Sequence, residues 1–302
     1  MIDGGDDMKK SLLGSLLGIV LLLSACGSKE EIVIGGKPWT EQFILPYVLG
    51  IYIEEQTDYD VSYKEGLGEV SILTPAIEKG EIDLYVEYTG TGLKDVLKED
   101  TAPGESSEDV YKRVKEGYKE KFDVVWLEPL GFENSYTLAY ANEVLDGAET
   151  YSDVAEISQK QDVVFGGPHS FYEREGDGYN DLIDEYEMEF SDTRDLDPNI
   201  MYEAVKNGEV DVIPAFTTDS RIQLFELQTT EDDLAFFPKY DAAPIVRQET
   251  LDDFPELEEV LQALAGEISE EEMLKMNARV DLDEEKPEDV ARAFLEEKGL
   301  LK

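Results

Sequence analysis

Cysteine and histidine are nearly missing from this 302-residue chain: Cys26 and His169 are the single examples of each. With one cysteine no internal disulfide can form, so a fold outside the cell must stand on its core alone. A Ser-His-Asp or Cys-His arrangement would have to be built on His169. That residue lies in the turn-like run Gly166-Gly167-Pro168-His169-Ser170, with no G-x-S-x-G neighbour. No P-loop, dinucleotide fingerprint, Cys/His metal spacing or Ca²⁺ loop is present. Positive charge is also scarce, with 26 Lys and Arg against 71 Asp and Glu and a net charge of −45. Neutralising phosphates needs clustered Lys and Arg, so nucleic acid is excluded as a partner, and so is electrostatic adhesion to an anionic bilayer. Disorder is excluded from the other side. Apolar residues make up 41%, and 16 Tyr, 12 Phe and 2 Trp are far more than a solvated acidic tail carries.

No apolar run reaches the length of a spanning helix. The longest, Leu12 to Leu23, follows the basic start Met8-Lys9-Lys10, the pattern of a secretory signal peptide, and Met8 reads as the initiator. The run ends in Leu23-Ser24-Ala25-Cys26-Gly27, which resembles the bacterial lipobox. Residues 1–25 are therefore expected to be removed, with Cys26 lipidated and the body held outside the cytoplasm on the cell membrane. The alternative is a buried free cysteine that happens to follow alanine.

From Glu31 onward, short β-rich runs alternate with segments of helical period, the pattern of an α/β fold. Strands are expected at 32–34, 61–63, 82–86, 124–126 and 163–165. Helices are expected from Thr40 to about Glu55, from Ser71 to Lys79, over 107–121, and as three acidic amphipathic helices within 255–300. One internal echo stands out. The segment from Ala76 through Gly80, Asp83 and Tyr88 to Thr89 lies without a gap on the segment from Ala204 through Gly208, Asp211 and Phe216 to Thr217. Each copy reads as helix, glycine stop, strand, and an aromatic at the strand end, where open α/β sheets bind ligands. The echo points to two similar lobes presenting aromatics to a shared cleft, a favoured place for a small-molecule site. Aromatics at strand ends or turns are Tyr88, Tyr136, Phe216 and Tyr240, and basic residues at similar places are Lys37 and Arg174. Taken one at a time, each is more often half-buried packing or a snorkelling or carboxylate-paired charge than a ligand contact.

Five segments in order resemble the glycine betaine/choline/carnitine-binding proteins of quaternary-amine ABC transporters. They are Lys37-Pro-Trp-Thr-Glu-Gln42, Gly80 to Thr91, Leu127 to Tyr136, Met201 to Asp211 and Phe237-Pro-Lys-Tyr-Asp-Ala-Ala-Pro244. The resemblance spans Glu31 to Lys302. It implies a two-lobed periplasmic-binding-protein fold of type II, two α/β lobes joined by two crossovers. Lobe one would be residues 31–134 with 245–302, and lobe two 135–244. It also implies a box of rings for the trimethylammonium group at Tyr88, Tyr136, Phe216 and Tyr240. A quaternary cation has no N–H to donate, and aromatic faces hold it by cation–π attraction. Lys37, Arg174 and Thr91 are implied as donors to a ligand carboxylate, and Asn134 falls where some members carry an acid lining the box. Phe216 stands in place of a common Tyr, and Asp219-Ser220-Arg221 in place of the usual Asp-Gly-Arg.

The resulting expectation is an extracytoplasmic binding protein, not an enzyme, that takes glycine betaine or a relative to an ABC permease without cofactor or metal. A choline- or carnitine-specific binder, a secreted hydrolase using a carboxylate pair, and a structural surface protein stay open as rivals. None of the implied ligand contacts is acidic, so the charge of −45 is expected to belong to the solvated surface. Its self-repulsion is tolerable at high ionic strength, which points to a salt-loving source.

Overall fold

The computed structural model describes residues 31–101, 105–141, 143–174, 176–198 and 200–301; the signal-peptide segment and Cys26 lie outside them. In chain order the strands are β1 (Glu31–Gly35), β2 (Asp60–Lys64), β3 (Leu84–Tyr88), β4 (Val124–Trp126), β5 (Tyr136–Tyr140), β6 (Val164–Gly167), β7 (Asp192–Asp195), β8 (Val212–Phe216), β9 (Gln228–Thr230) and β10 (Ala242–Arg247). They form two five-stranded mixed sheets, ordered β2-β1-β3-β10-β4 and β7-β6-β8-β5-β9. The expected α/β class is present.

Alternation along the strands explains the layering. In β3, Leu84, Val86 and Tyr88 face a core that includes Leu45, Val48 and Leu49 of the helix Thr40–Gln56 and residues of the C-terminal helices. Tyr85, between them, faces Val114, Tyr118 and Trp126 on the other side. The second sheet divides likewise, Leu138 and Tyr140 to one core and Ala139 to the other. Helices on both faces of each sheet leave the strand ends free to meet a neighbour.

The internal echo is a structural duplication. Gly80 and Gly208 both take positive φ, 69° and 72°, which a side chain would strain. Past each glycine, Asp83 and Asp211 accept the N–H of Val33 and Val164 through their side chains, both at 2.8 Å. Their own N–H groups donate back to Val33 and Val164, again at 2.8 Å. β3 begins after this reciprocal pair, at Leu84 rather than at the expected Ile82, so Tyr88 and Phe216 are each the last residue of their strand. The antiparallel neighbour of each copy comes from elsewhere in the chain: Ala242 of β10 opposes Tyr88, and Tyr136 of β5 opposes Phe216.

The chain passes between the sheets around residues 133–135 and 239–241, and the two passages pair with each other. Asn134 donates its N–H to the Tyr240 carbonyl at 3.2 Å, and Ala242 to that of Phe132 at 3.1 Å. The expected boundary at 244/245 falls inside β10, whose first residues already pair in the first sheet. The three C-terminal helices are Leu257–Gln262, Glu270–Asp281 and Pro287–Glu297. A capping box between Ser269 and Glu272 starts the middle one, which reaches across to the second sheet. Leu274 packs there beside the Tyr202 cluster, and Asn277 donates to the Thr218 carbonyl at 2.9 Å. Among the described residues no helix is long and apolar enough to cross a membrane.

Candidate functional site

A cleft of about 810 Å³ opens where β3 and β8 end and the antiparallel β5 begins. Seven of the eight residues anticipated as ligand contacts line it: Tyr88, Thr91, Asn134, Tyr136, Arg174, Phe216 and Tyr240. Sheet register brings two of the rings together. Tyr136 and Phe216 are directly opposed across β5 and β8, with ring centroids 4.7 Å apart. Phe237 stacks on Tyr136 from behind at 4.8 Å and fixes its tilt. Phe216 remains 44% exposed, a large apolar ring left in solvent inside a cleft. Tyr240 leans on the backbone of Gly90, where an added Cβ would meet its ring at 2.7 Å and the Lys239 carbonyl at 2.8 Å. The fourth ring, Tyr88, is buried and lies 6.3 Å from Trp39, which also lines the cleft.

The eighth residue, Lys37, does not reach the cleft. It is 1% exposed, and its ammonium forms an ion pair with the fully buried Glu87. Glu87 also accepts from the Tyr88 N–H at 2.7 Å and the Tyr85 hydroxyl at 3.2 Å. Because Glu87 points to the opposite face of β3 from Tyr88, it draws Lys37 behind the cleft wall. There the ammonium sits 4.9 Å from the Tyr88 ring centroid and 5.4 Å from that of Trp39. The structure thus places Lys37 outside the cleft lining, paired with Glu87, contrary to the expected contact with a ligand carboxylate.

Arg174 does line the cleft, but much of its hydrogen-bonding capacity is committed. Asp177, 4% exposed, receives Nε at 2.7 Å and Nη2 at 2.8 Å, and the Tyr136 hydroxyl accepts from Nη1 at 2.9 Å. Burial, the largest single effect, disfavours the guanidinium charge. The bonds to Asp177, together with the electrostatics of Asp177, Tyr136 and Tyr240, offset it and raise the pKa above the ordinary arginine value. Among the described residues three of its five N–H donors are engaged, which leaves two for an anionic ligand group. Burial keeps Tyr136 and Tyr240 protonated, the latter pushed up to about 12.

Acids enter the cleft, contrary to the expectation that none would. Glu41, Asp95, Asp219 and Asp281 all line it. Asp219 is bound by Arg221, with Nη2 at 2.6 Å. Asp281 accepts from Thr40 at 2.5 Å and from Ser220 at 2.7 Å. Ser220, the departure from the usual glycine, thus ties the second sheet's side of the cleft to the helix Glu270–Asp281. Glu41 accepts from the Tyr88 hydroxyl, from Asn134 at 3.2 Å and from Asn277 at 3.4 Å.

Eleven lining residues were not anticipated as contacts from the sequence, among them Trp39, Glu41, Asp95, Thr218, Asn277 and Asp281. Trp39 and Glu41 carried a signal, because they begin the helix that follows the β1 strand end, the position where a crevice forms. Asn277 and Asp281 carried none, since nothing local says that an acidic C-terminal helix reaches the second sheet. His169 is exposed among Glu173 and Asp195 and lies outside the cleft lining.

A family described as the substrate binding domain of ABC-type glycine betaine transport systems matches residues 30–297. The chain belongs to this family. It is 33% identical over 290 residues to the ergothioneine transport permease/ergothioneine binding protein EgtU of Helicobacter pylori (strain G27). That match takes in 94% of this chain and 51% of the relative, so the chain spans about half that relative's length. Identity is also 33%, over 304 residues, with the carnitine transport binding protein OpuCC of Listeria monocytogenes serotype 1/2a (strain 10403S), covering 96% and 97%. A solved structure described as a glycine betaine/carnitine/choline ABC transporter superposes with a TM-score of 0.84 at 30% identity, covering 91% of this chain and 100% of that one. The family is one of transport substrate-binding domains, and the fold of this chain is the one its members share.

Proposed function

We propose that this chain captures glycine betaine or a related quaternary amine in the cleft and presents it to the permease of an ABC importer. The observation that carries the reading is the facing pair Tyr136 and Phe216, with Tyr88 and Tyr240 lining the same cleft and Arg174 beside them. Rings take the trimethylammonium group by cation–π attraction, at roughly 0.5–2 kcal/mol each. Arg174 and Thr91 are the groups left for a carboxylate once Lys37 is removed from the set. Residues 31–134 with 242–302 act as one lobe and 135–241 as the other, since β10 pairs wholly within the first sheet. A ligand touching both lobes favours the closed arrangement by its higher affinity for it.

We place the protein outside the cytoplasm, anchored by a lipid on Cys26; the reading rests on Leu23-Ser24-Ala25-Cys26. The carnitine-named relative keeps carnitine as a second ligand reading. Calorimetric titration with glycine betaine, carnitine and choline tests the function. Mass spectrometry of the same samples is expected to return the ligand unchanged and, for protein from its native cell, a lipidated Cys26 as first residue. Turnover of the ligand would favour a hydrolase instead.

A further inference from the structure

We infer that Glu41 is the counter-charge of the aromatic cage, acting on the ligand cation through Tyr88 and Asn134, so that capture of a quaternary ammonium expels a proton from Glu41. This rests on the quaternary-amine reading of the cleft and deepens it. Glu41 lies in the first turn of the helix Thr40–Gln56 and is 2% exposed. Its side chain is bound by neutral donors, namely the Tyr88 hydroxyl, Asn134, Asn277 and Thr218. The cations that face this region are engaged elsewhere: Lys37 with Glu87, Arg221 with Asp219, Arg174 with Asp177. Asp281, bonded to the adjacent Thr40, adds a second negative charge, and Asp95 lines the same cleft.

A buried carboxylate without a cationic partner is costly to ionise. Burial raises the Glu41 pKa above its ordinary value, and the four neutral hydrogen bonds and the helix N-terminus recover only part of that. The empty cleft therefore holds a proton on Glu41 to higher pH than a solvated glutamate would. A trimethylammonium group against the Tyr88 ring supplies the missing positive charge. The carboxylic acid then gives its proton to solvent and becomes carboxylate, which accepts more strongly from the Tyr88 hydroxyl and enriches the ring facing the cation. Affinity for the cation is full above the raised pKa and is lost as pH falls through it. Glu41 is thus a positioning residue whose charge state sets selectivity for cationic over neutral ligands.

Choline is the probe, because it has no carboxylate of its own to titrate. Wild type, Glu41→Gln and Glu41→Asp are titrated by calorimetry from pH 5 to pH 8, in two buffers of different ionisation heat. For wild type the affinity is expected to rise about tenfold across this range, with proton release on binding. Glu41→Gln is expected to bind about tenfold more weakly at pH 8, with a flat profile and no proton release, while Glu41→Asp keeps the slope. A flat wild-type profile without proton release overturns the inference and needs no variant to read. A slope that persists in Glu41→Gln also overturns it, by assigning the proton to another group. Failure of wild type to bind either choline or glycine betaine sinks the quaternary-amine reading itself, and the inference with it.

Discussion

Glu87→Gln is expected to lower the melting temperature by about 6–20 °C and to leave the ratio of glycine betaine to choline affinity unchanged. The pair it breaks is fully buried, with Lys37 1% and Glu87 0% exposed. Removing one partner leaves the Lys37 ammonium in the core without a counter-ion, a loss of about 3–5 kcal/mol. In a domain of this size each kcal/mol shifts the midpoint by roughly 2–4 °C. Glu87 also holds the Tyr88 N–H and the Tyr85 hydroxyl, so the damage spreads along β3. Lys37→Met removes the charge and leaves Glu87 its two remaining donors, so its loss is smaller. The double variant is expected to lose less than the sum of the two singles, the mark of a coupled pair. If Lys37 instead clamped the ligand carboxylate, Lys37→Met would cost glycine betaine far more than choline at little cost in stability. Salt separates this buried pair from the acidic surface. The wild-type midpoint is expected to rise from dilute buffer to 1 M salt, where the Debye length shrinks to about 3 Å, while the drop caused by Glu87→Gln stays nearly constant.

Phe216→Ala is expected to do the reverse, costing affinity and sparing the fold. The ring is already 44% exposed, so truncation forfeits little burial beyond its contact with Tyr136, worth about 0.5–1.5 kcal/mol. A bound cation would lose one face of its cage, up to about 2 kcal/mol, which is roughly 30-fold in dissociation constant. Phe216→Leu keeps an apolar wall without the π face and is expected to fall nearer Ala than wild type. Phe216→Tyr is expected to stay within about tenfold, or 1.4 kcal/mol. An unchanged affinity in Phe216→Ala would remove this ring from the cage.

What could be read in the sequence was what is local or repeated. The echo between Tyr88 and Phe216 foretold two matching strand ends, because the same glycine stop and aspartate bond build both. Arg174 stood out because basic residues are scarce at loops in so acidic a chain, and the rings because they stand at strand ends or turns. Lys37 misled for the same reason. A lysine after Gly35-Gly36 looks free until β3 places Glu87 behind the wall, and that pairing spans fifty residues. Glu41 was hidden among 71 acidic residues, and only its burial under Tyr88, Asn134 and Asn277 distinguishes it. The share of the cleft contributed by the helix Glu270–Asp281 was invisible for a related reason: its inward residues, Asn277 and Asp281, are ordinary on any solvated helix.

The central claim is that the ring-lined cleft holds a quaternary amine, and titrating the wild-type protein with glycine betaine and with choline tests it most directly. Saturable one-to-one binding below about 1 mM for at least one of them, weakened by Phe216→Ala, is the expected result. Heats indistinguishable from dilution for both ligands at millimolar concentration, from protein that melts cooperatively, would contradict it.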